Sequence, residues 1–220
     1  MNIYDILGPV MVGPSSSHTA GAARMGALAR ALLCEVPVQA EILLHGSFAA
    51  TGAGHGTDRA LVAGLLGMAP DDPRIPQSFA LAREAGLTFT IGRVRLQDAH
   101  PNSALIRLTG AQGGQLEMQA ASPGGGRIQV AKLDGLDAVF TGEMHTLIVY
   151  HRDCPGQVAE VAGLLSDSGV NIAAMQLYRD QRGGHAIMVL QTDQTVDEAV
   201  LNALRGHAAI DKVIALRGRE

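Results

Sequence analysis

Three short stretches gather side chains able to move a proton or hold an anion. They are Ser15-Ser16-Ser17-His18-Thr19 behind Gly13-Pro14, Gly54-His55-Gly56-Thr57-Asp58, and His100-Pro101-Asn102. Histidine suits proton transfer because its ordinary pKa lies close to neutral pH. Gly13-Pro14 interrupts regular structure, and Thr19 opens an apolar pattern of Ala22, Met25, Gly26, Leu28, Ala29, Leu32 and Leu33, the spacing of one helix face. The serines therefore stand at a helix N-terminus, where free backbone N–H groups, the dipole and the hydroxyls together favour a carboxylate or phosphate. The same residues also make an ordinary serine cap with a solvated histidine in the first turn. Glycine on either side of His55 permits close approach by a substrate, or equally makes a surface turn. Pro101 biases His100 to extended backbone beside the neutral donor and acceptor of Asn102, which also reads as a plain turn.

The elements that position these residues follow from periodicity. Residues 1–33 read as a short lead helix, the serine loop and a helix ending near Leu33. Residues 38–44 make a strand. The glycines at 52, 54 and 56 predict an irregular backbone over 51–58, placing His55 in a loop at the start of the helix marked by Leu61, Val62, Leu65 and Leu66. A proline-rich connection at 70–76 precedes a helix over 78–85, and strands are expected at 87–91, 104–109, 115–120 and 127–132. From 146 onward the order is strand 146–150, a helix begun by Pro155, strand 171–178, a hairpin turn at 180–184, strand 185–191, helix 196–204 and strand 212–216. That βαββαβ order is the ferredoxin-like split βαβ arrangement. The fold class is thus α/β (α+β), with a mixed N-terminal domain over 1–143 and a ferredoxin-like domain over 144–220.

Composition bounds the function. The chain has 220 residues, 47% of them hydrophobic, which is enough for real cores, but only 3% aromatic and no Trp. Leu, Val, Ile, Ala and Met must therefore fill the interior. The net charge of −4 and the absence of a basic patch argue against nucleic acid. The apolar run at 6–12 is short, broken by Gly8-Pro9 and without a positive flank, so neither a signal peptide nor a membrane span is expected and a soluble cytoplasmic protein is. Two cysteines, Cys34 and Cys154, cannot between them ligate an iron–sulfur cluster or a structural zinc.

Two resemblances sharpen this reading. The C-terminal unit resembles an ACT domain through Asp153-Cys154-Pro155-Gly156, Val158-Ala159-Glu160-Val161-Ala162 and Gly169-Val170-Asn171-Ile172. It implies edge-to-edge homodimerisation and an amino-acid site near Gly156 and Asp153, where glycine lets a carboxylate approach a helix N-terminus. The serine motif, Gly46-Ser47 with Thr51-Gly52, the Gly54–Asp58 motif and His100-Pro101-Asn102 together resemble the β subunit of an iron–sulfur-dependent L-serine dehydratase, over essentially the whole chain.

That resemblance implies conversion of L-serine to pyruvate and ammonia with a 4Fe-4S cluster carried by a separate α subunit. It implies His55 as base, with His18 and His100 as further catalytic residues. Ser15, Ser16, Ser17, Thr19, Asn102, Gly54 and Thr57 would bind substrate. Two readings from other classes stay open: an amino-acid-sensing module without catalysis, and a mononuclear metal hydrolase using His18, His55 and His100. A Ser-His hydrolase fits least, because Ser17 beside His18 is not a nucleophile elbow.

Overall fold

A computed structural model describes residues 10–218, and the lead helix expected before Gly13 falls largely outside them. The chain divides into two compact units, residues 1–135 and 136–220.

In the first unit, one turn of π-helix, Ser16–Gly21, runs directly into α1 (Ala22–Leu33). Strand β1 (Pro37–Leu44) follows, then α2 (Gly46–His55), α3 (Thr57–Leu65), α4 (Ser78–Glu84), β2 (Thr88–Arg93), β3 (Ser103–Gly110), β4 (Gln115–Gly124) and β5 (Arg127–Leu133). The strands are ordered β2-β1-β3-β4-β5. β1 pairs with β2 in parallel, as the helical crossover between them requires, and every other pair is antiparallel. Alternation sends Ala40, Ile42 and Leu44 of β1, Ala104 and Ile106 of β3, and Leu116, Met118 and Ala120 of β4 into a core with Met25, Ala29, Leu32, Leu61 and Leu65 of α1 and α3. The opposite face is polar: Arg107 of β3 bridges Glu41 of β1 and Glu117 of β4 across three strands.

Helices α1 and α3 meet through glycine. A Cβ on Gly64 would lie 2.0 Å from the Ala23 carbonyl, and one on Gly26 would lie 2.2 Å from the Leu61 carbonyl. The two backbones touch because neither position carries a side chain, which suits a core with few aromatic rings to fill it.

The backbone over 46–55 differs from the irregular loop expected from its glycines, since it forms α2. Glycine costs a helix interior about 1 kcal/mol against alanine, but here tertiary contact offsets that preference. Phe48 is fully buried, and Gly52 sits so close that a Cβ would be 3.3 Å from Thr57 and 3.5 Å from Leu44. The irregularity is concentrated at Gly56, whose φ of +69° caps α2 and opens α3. His55 is accordingly the last residue of a helix and not the first of one.

In the second unit, β6 (Leu136–Phe140) precedes β7 (His145–Arg152), α5 (Gln157–Asp167), β8 (Ile172–Arg179), β9 (His185–Thr192), α6 (Glu198–Arg205) and β10 (Ile210–Leu216). From β7 onward this is the expected βαββαβ order, in a sheet ordered β10-β7-β9-β8 with all pairs antiparallel. Leu147 and Val149 of β7 and Met188 and Leu190 of β9 pack under Val161 and Leu165 of α5 and Leu201 and Leu204 of α6. No helix among the described residues is long and apolar enough to cross a membrane.

Candidate active site

The π-helical turn and α2 face each other across the ring of His18. Ser15 is the N-cap of the turn and its Oγ accepts the His18 N–H at 3.3 Å, so one serine of the three does serve as a cap. His18 is itself buried, its ring edge-on to Phe48 at 5.1 Å between centroids. Its Nδ1 lies 3.1 Å from Ser17 Oγ and 3.4 Å from Ser15 Oγ, while its Nε2 lies 3.1 Å from Thr51 Oγ1 and 3.2 Å from Ser47 Oγ. Both ring nitrogens are thus occupied by hydroxyls. Burial, and after it the neighbouring His55 ring, push the His18 pKa below its ordinary 6.5, against a smaller opposing pull from Ser47. At neutral pH His18 is an uncharged hydrogen-bonding ring.

His55 stands 5.0 Å from His18 between ring centroids, tilted by 44°. Its Nδ1 is 3.1 Å from the Thr51 carbonyl one helical turn back. A carbonyl only accepts, so Nδ1 carries the proton, and the lone pair of neutral His55 is on Nε2. That Nε2 makes no hydrogen bond among the described residues. The His55 carbonyl in turn accepts the Thr19 hydroxyl at 3.3 Å, tying the end of α2 to the serine turn.

The segment 100–103 lies against the start of α2. The Pro101 carbonyl accepts the Ser47 N–H at 2.8 Å, and the Ser103 carbonyl accepts the His45 N–H at 2.9 Å. Gly46 takes a φ of +55° there, and a Cβ on it would lie 2.6 Å from the Pro101 oxygen. His100 is exposed and its Nδ1 accepts the Asn102 N–H at 3.1 Å, which leaves the proton of the neutral ring on Nε2, the reverse of His55. Asn102 is bracketed to Ser122, donating from Nδ2 to its carbonyl and accepting its N–H.

The structure therefore brings His18, His55, Ser15, Ser17 and Thr19 into one cluster and ties the His100–Asn102 segment to it through Ser47. Ser16 is half-buried and makes no side-chain hydrogen bond among the described residues. Gly54 is exposed, with nothing within 4 Å of where its Cβ would be, so the end of α2 beside His55 is open. Thr57 faces the other way. It is fully buried and its Oγ1 has no hydrogen-bond partner among the described residues, so it opposes Gly52 inside the fold. In the second unit, Gly156 caps α5 at a φ of +97° with open space around it. Asp153 accepts from the Gly183 N–H and from Arg179, and these bonds hold its carboxyl below the usual range.

The chain is similar to known proteins. A family model described as "Serine dehydratase beta chain" matches residues 2–85, and one described as "ACT domain" matches residues 145–208. The "Probable L-serine dehydratase, beta chain" of Bacillus subtilis (strain 168) is 39% identical over 206 residues, 92% of each chain. The "L-serine dehydratase, beta chain" of Peptoniphilus asaccharolyticus is 37% identical over 204 residues, again 92% of each. The chain belongs to the L-serine dehydratase β-chain family. A more distant likeness is to "D-3-phosphoglycerate dehydrogenase" of Mycobacterium tuberculosis (strain ATCC 25618 / H37Rv), 29% identical over 86% of this chain but only 35% of that one.

In this member of the serine dehydratase β chains, two residues to which the motifs assign no role contact the ring of His18. Ser47 and Thr51 hold His18 Nε2, and Thr51 also holds His55. Their spacing of four puts both on one helix face, a signal that is present in the sequence but that only a helical reading of 46–55 exposes.

Proposed function

We propose that this chain is the β subunit of a two-chain L-serine dehydratase, that it forms pyruvate and ammonia from L-serine only with its partner, and that His55 is the base. The observation that carries the reading is the orientation of His55: Nδ1–H is committed to the Thr51 carbonyl and Nε2 is open beside a neutral His18. Dehydrating serine requires removal of the Cα proton and departure of the β-hydroxyl. A neutral imidazole Nε2 at the open end of α2 accepts the first. An uncharged His18 beside it adds no repulsion to the imidazolium that forms.

His18 and His100 complete the catalytic set, His100 as a donor through Nε2–H and His18 as the ring that orders the two facing segments. Ser15, Ser16, Ser17, Thr19, Gly54 and Asn102 form the substrate-binding set, and Thr57, expected there from the sequence, lies beneath it in the fold. Thr19 and Thr57 are both buried and shape the site from inside the fold. The serine carboxylate meets the donors at the N-terminus of the serine turn.

The 4Fe-4S cluster is assigned to the α subunit. The residues of this chain do not fit such a group: Cys34 and Cys154 are single exposed thiols on different units, and the described residues offer no group of three or more His, Cys, Asp or Glu able to hold a metal ion. Departure of the hydroxyl accordingly belongs to the partner's side of the reaction. The functional division is 1–143 for the dehydratase part and 144–220 for the ACT domain, and the location is the cytoplasm. Self-association through the ACT sheet is supported by its edge strand β8, where Met175 and Leu177 are 43% and 45% exposed. Gly156 and Asp153 mark the ACT ligand site, for which L-serine is the first candidate.

The test is pyruvate formation from L-serine under anaerobic conditions by the purified chain, with and without a cysteine-rich α partner. Turnover is expected only in the mixture. Turnover by this chain alone overturns the two-subunit reading.

A further inference from the structure

Every hydroxyl around His18 but one is indifferent to which nitrogen carries the proton. Ser15, Ser17 and Ser47 each own a rotatable hydrogen, so each can donate to an imidazole nitrogen or accept from its N–H. On those three alone, the Nδ1–H and Nε2–H forms of His18 would be satisfied about equally well. Thr51 differs. Its hydroxyl lies 2.9 Å from the Ser47 carbonyl one turn back, an oxygen that only accepts, so its single hydrogen is already committed. Toward His18 Nε2, 3.1 Å away, Thr51 Oγ1 can then only accept. His18 must therefore carry its proton on Nε2 and receive the Ser17 hydroxyl at Nδ1, 3.1 Å away. The backbone of the same residue makes the opposite choice for the second ring, since the Thr51 carbonyl requires Nδ1–H on His55.

We propose that Thr51 is a positioning residue that sets the tautomers of both histidines, its hydroxyl fixing His18 as Nε2–H and its carbonyl fixing His55 as Nδ1–H. The consequence is directional. His18 presents a donor toward α2 and an acceptor toward the serine turn, so the two segments are held in one hydrogen-bonding sense. His55 keeps its lone pair on the nitrogen that faces away from its own helix. Thr51 is exposed, so this ordering role and not burial is what its side chain contributes. The proposal deepens the reading above and rests on it for the use to which the two rings are put.

Nitrogen-15 spectroscopy of the full chain, at a pH above the ordinary histidine value, reads each tautomer directly. In the wild type, His18 is expected to show a pyridine-like Nδ1 and a pyrrole-like Nε2, and His55 the reverse. Thr51→Val keeps the shape but loses the oxygen, and should shift the His18 tautomer ratio toward Nδ1–H by about fivefold, the weight of one net hydrogen bond. His55 should stay as it is, because its partner is backbone. Thr51→Ser should restore the wild-type ratio. A wild-type His18 protonated on Nδ1, a wild-type His55 protonated on Nε2, or an unchanged His18 ratio in Thr51→Val overturns the proposal. The wild-type spectrum decides even if the valine variant folds poorly. Serine turnover by the assembled complex is read separately: if it is absent while both tautomers are as assigned, the functional reading fails and the role of Thr51 stands.

Discussion

Replacing Gly64 by alanine sets two known effects against each other, and the structure says which wins. Alanine in a helix interior is favoured over glycine by about 1 kcal/mol. The added methyl, however, would sit 2.0 Å from the Ala23 carbonyl, 2.7 Å from the Ala27 nitrogen and 2.9 Å from the Gly26 Cα, all of them backbone atoms of α1. No rotamer change relieves a contact with backbone, so α1 and α3 must separate by about 1 Å. Overpacking of this kind costs about 1–3 kcal/mol, and rigid neighbours put it at the upper end. The net expectation is a loss of about 2 kcal/mol, or roughly 4–8 °C in Tm. Gly163→Ala in α5, where nothing lies within 4 Å of the new methyl, is the control and should gain about 0.5–1 kcal/mol. Urea unfolding of the two variants beside the wild type measures both. Because α1 continues from the His18 turn and α3 begins two residues after His55, Gly64→Ala should also widen the 5.0 Å spacing of the rings. A Gly64→Ala chain as stable as the wild type, or more so, refutes the close backbone contact and the geometry built on it.

Thr57→Val should leave stability unchanged or raise it by about 1 kcal/mol, because the hydroxyl it removes is buried without a partner among the described residues; a loss above about 1 kcal/mol in urea unfolding would show a hydrogen bond there. His18 gives stability a pH slope. Its folded pKa is below the unfolded 6.5, so the unfolded chain binds the proton first as pH falls, and stability present above 6.5 is lost progressively below it until the folded value is passed. His18→Gln should flatten that slope between pH 7 and 5, and an unchanged slope would mean that the ring is not held neutral. Truncation after residue 143 should abolish self-association measured by sedimentation, whereas a truncated chain of unchanged oligomeric state removes the ACT sheet as its source.

The second unit was legible in the sequence because its strands and helices are separated by clear punctuation: Pro155 before α5, Gly169 after it, and the turn at 180–184 between β8 and β9, although α5 itself begins at Gln157 behind Gly156 and not at Pro155. The failure at α2 has a physical reason. Gly46, Gly52 and Gly54 dilute its apolar periodicity to a single large side chain, Phe48, and what makes the segment helical is its packing against Leu44 and Thr57, which local sequence does not carry. Ser47 and Thr51 are hidden for the same reason, since they become partners of one ring only on a helix. His18 and His55 were found from residue type and glycine context, but their division of labour depends on which nitrogen meets a carbonyl. Thr57 shows the converse limit, a hydroxyl next to the site in sequence that points into the core. β6, a five-residue strand behind a glycine turn, is too short for alternation to register.

Turnover of serine deuterated at Cα, by the assembled two-chain complex carrying His55→Asn, tests the central claim most directly. Asparagine keeps polarity and approximate size but cannot accept the proton. The account predicts normal assembly and a kcat lowered by about 10²-fold or more, the usual scale of a general base. Near-normal pyruvate formation with an intact primary isotope effect would contradict it, and the base would have to be sought at another residue.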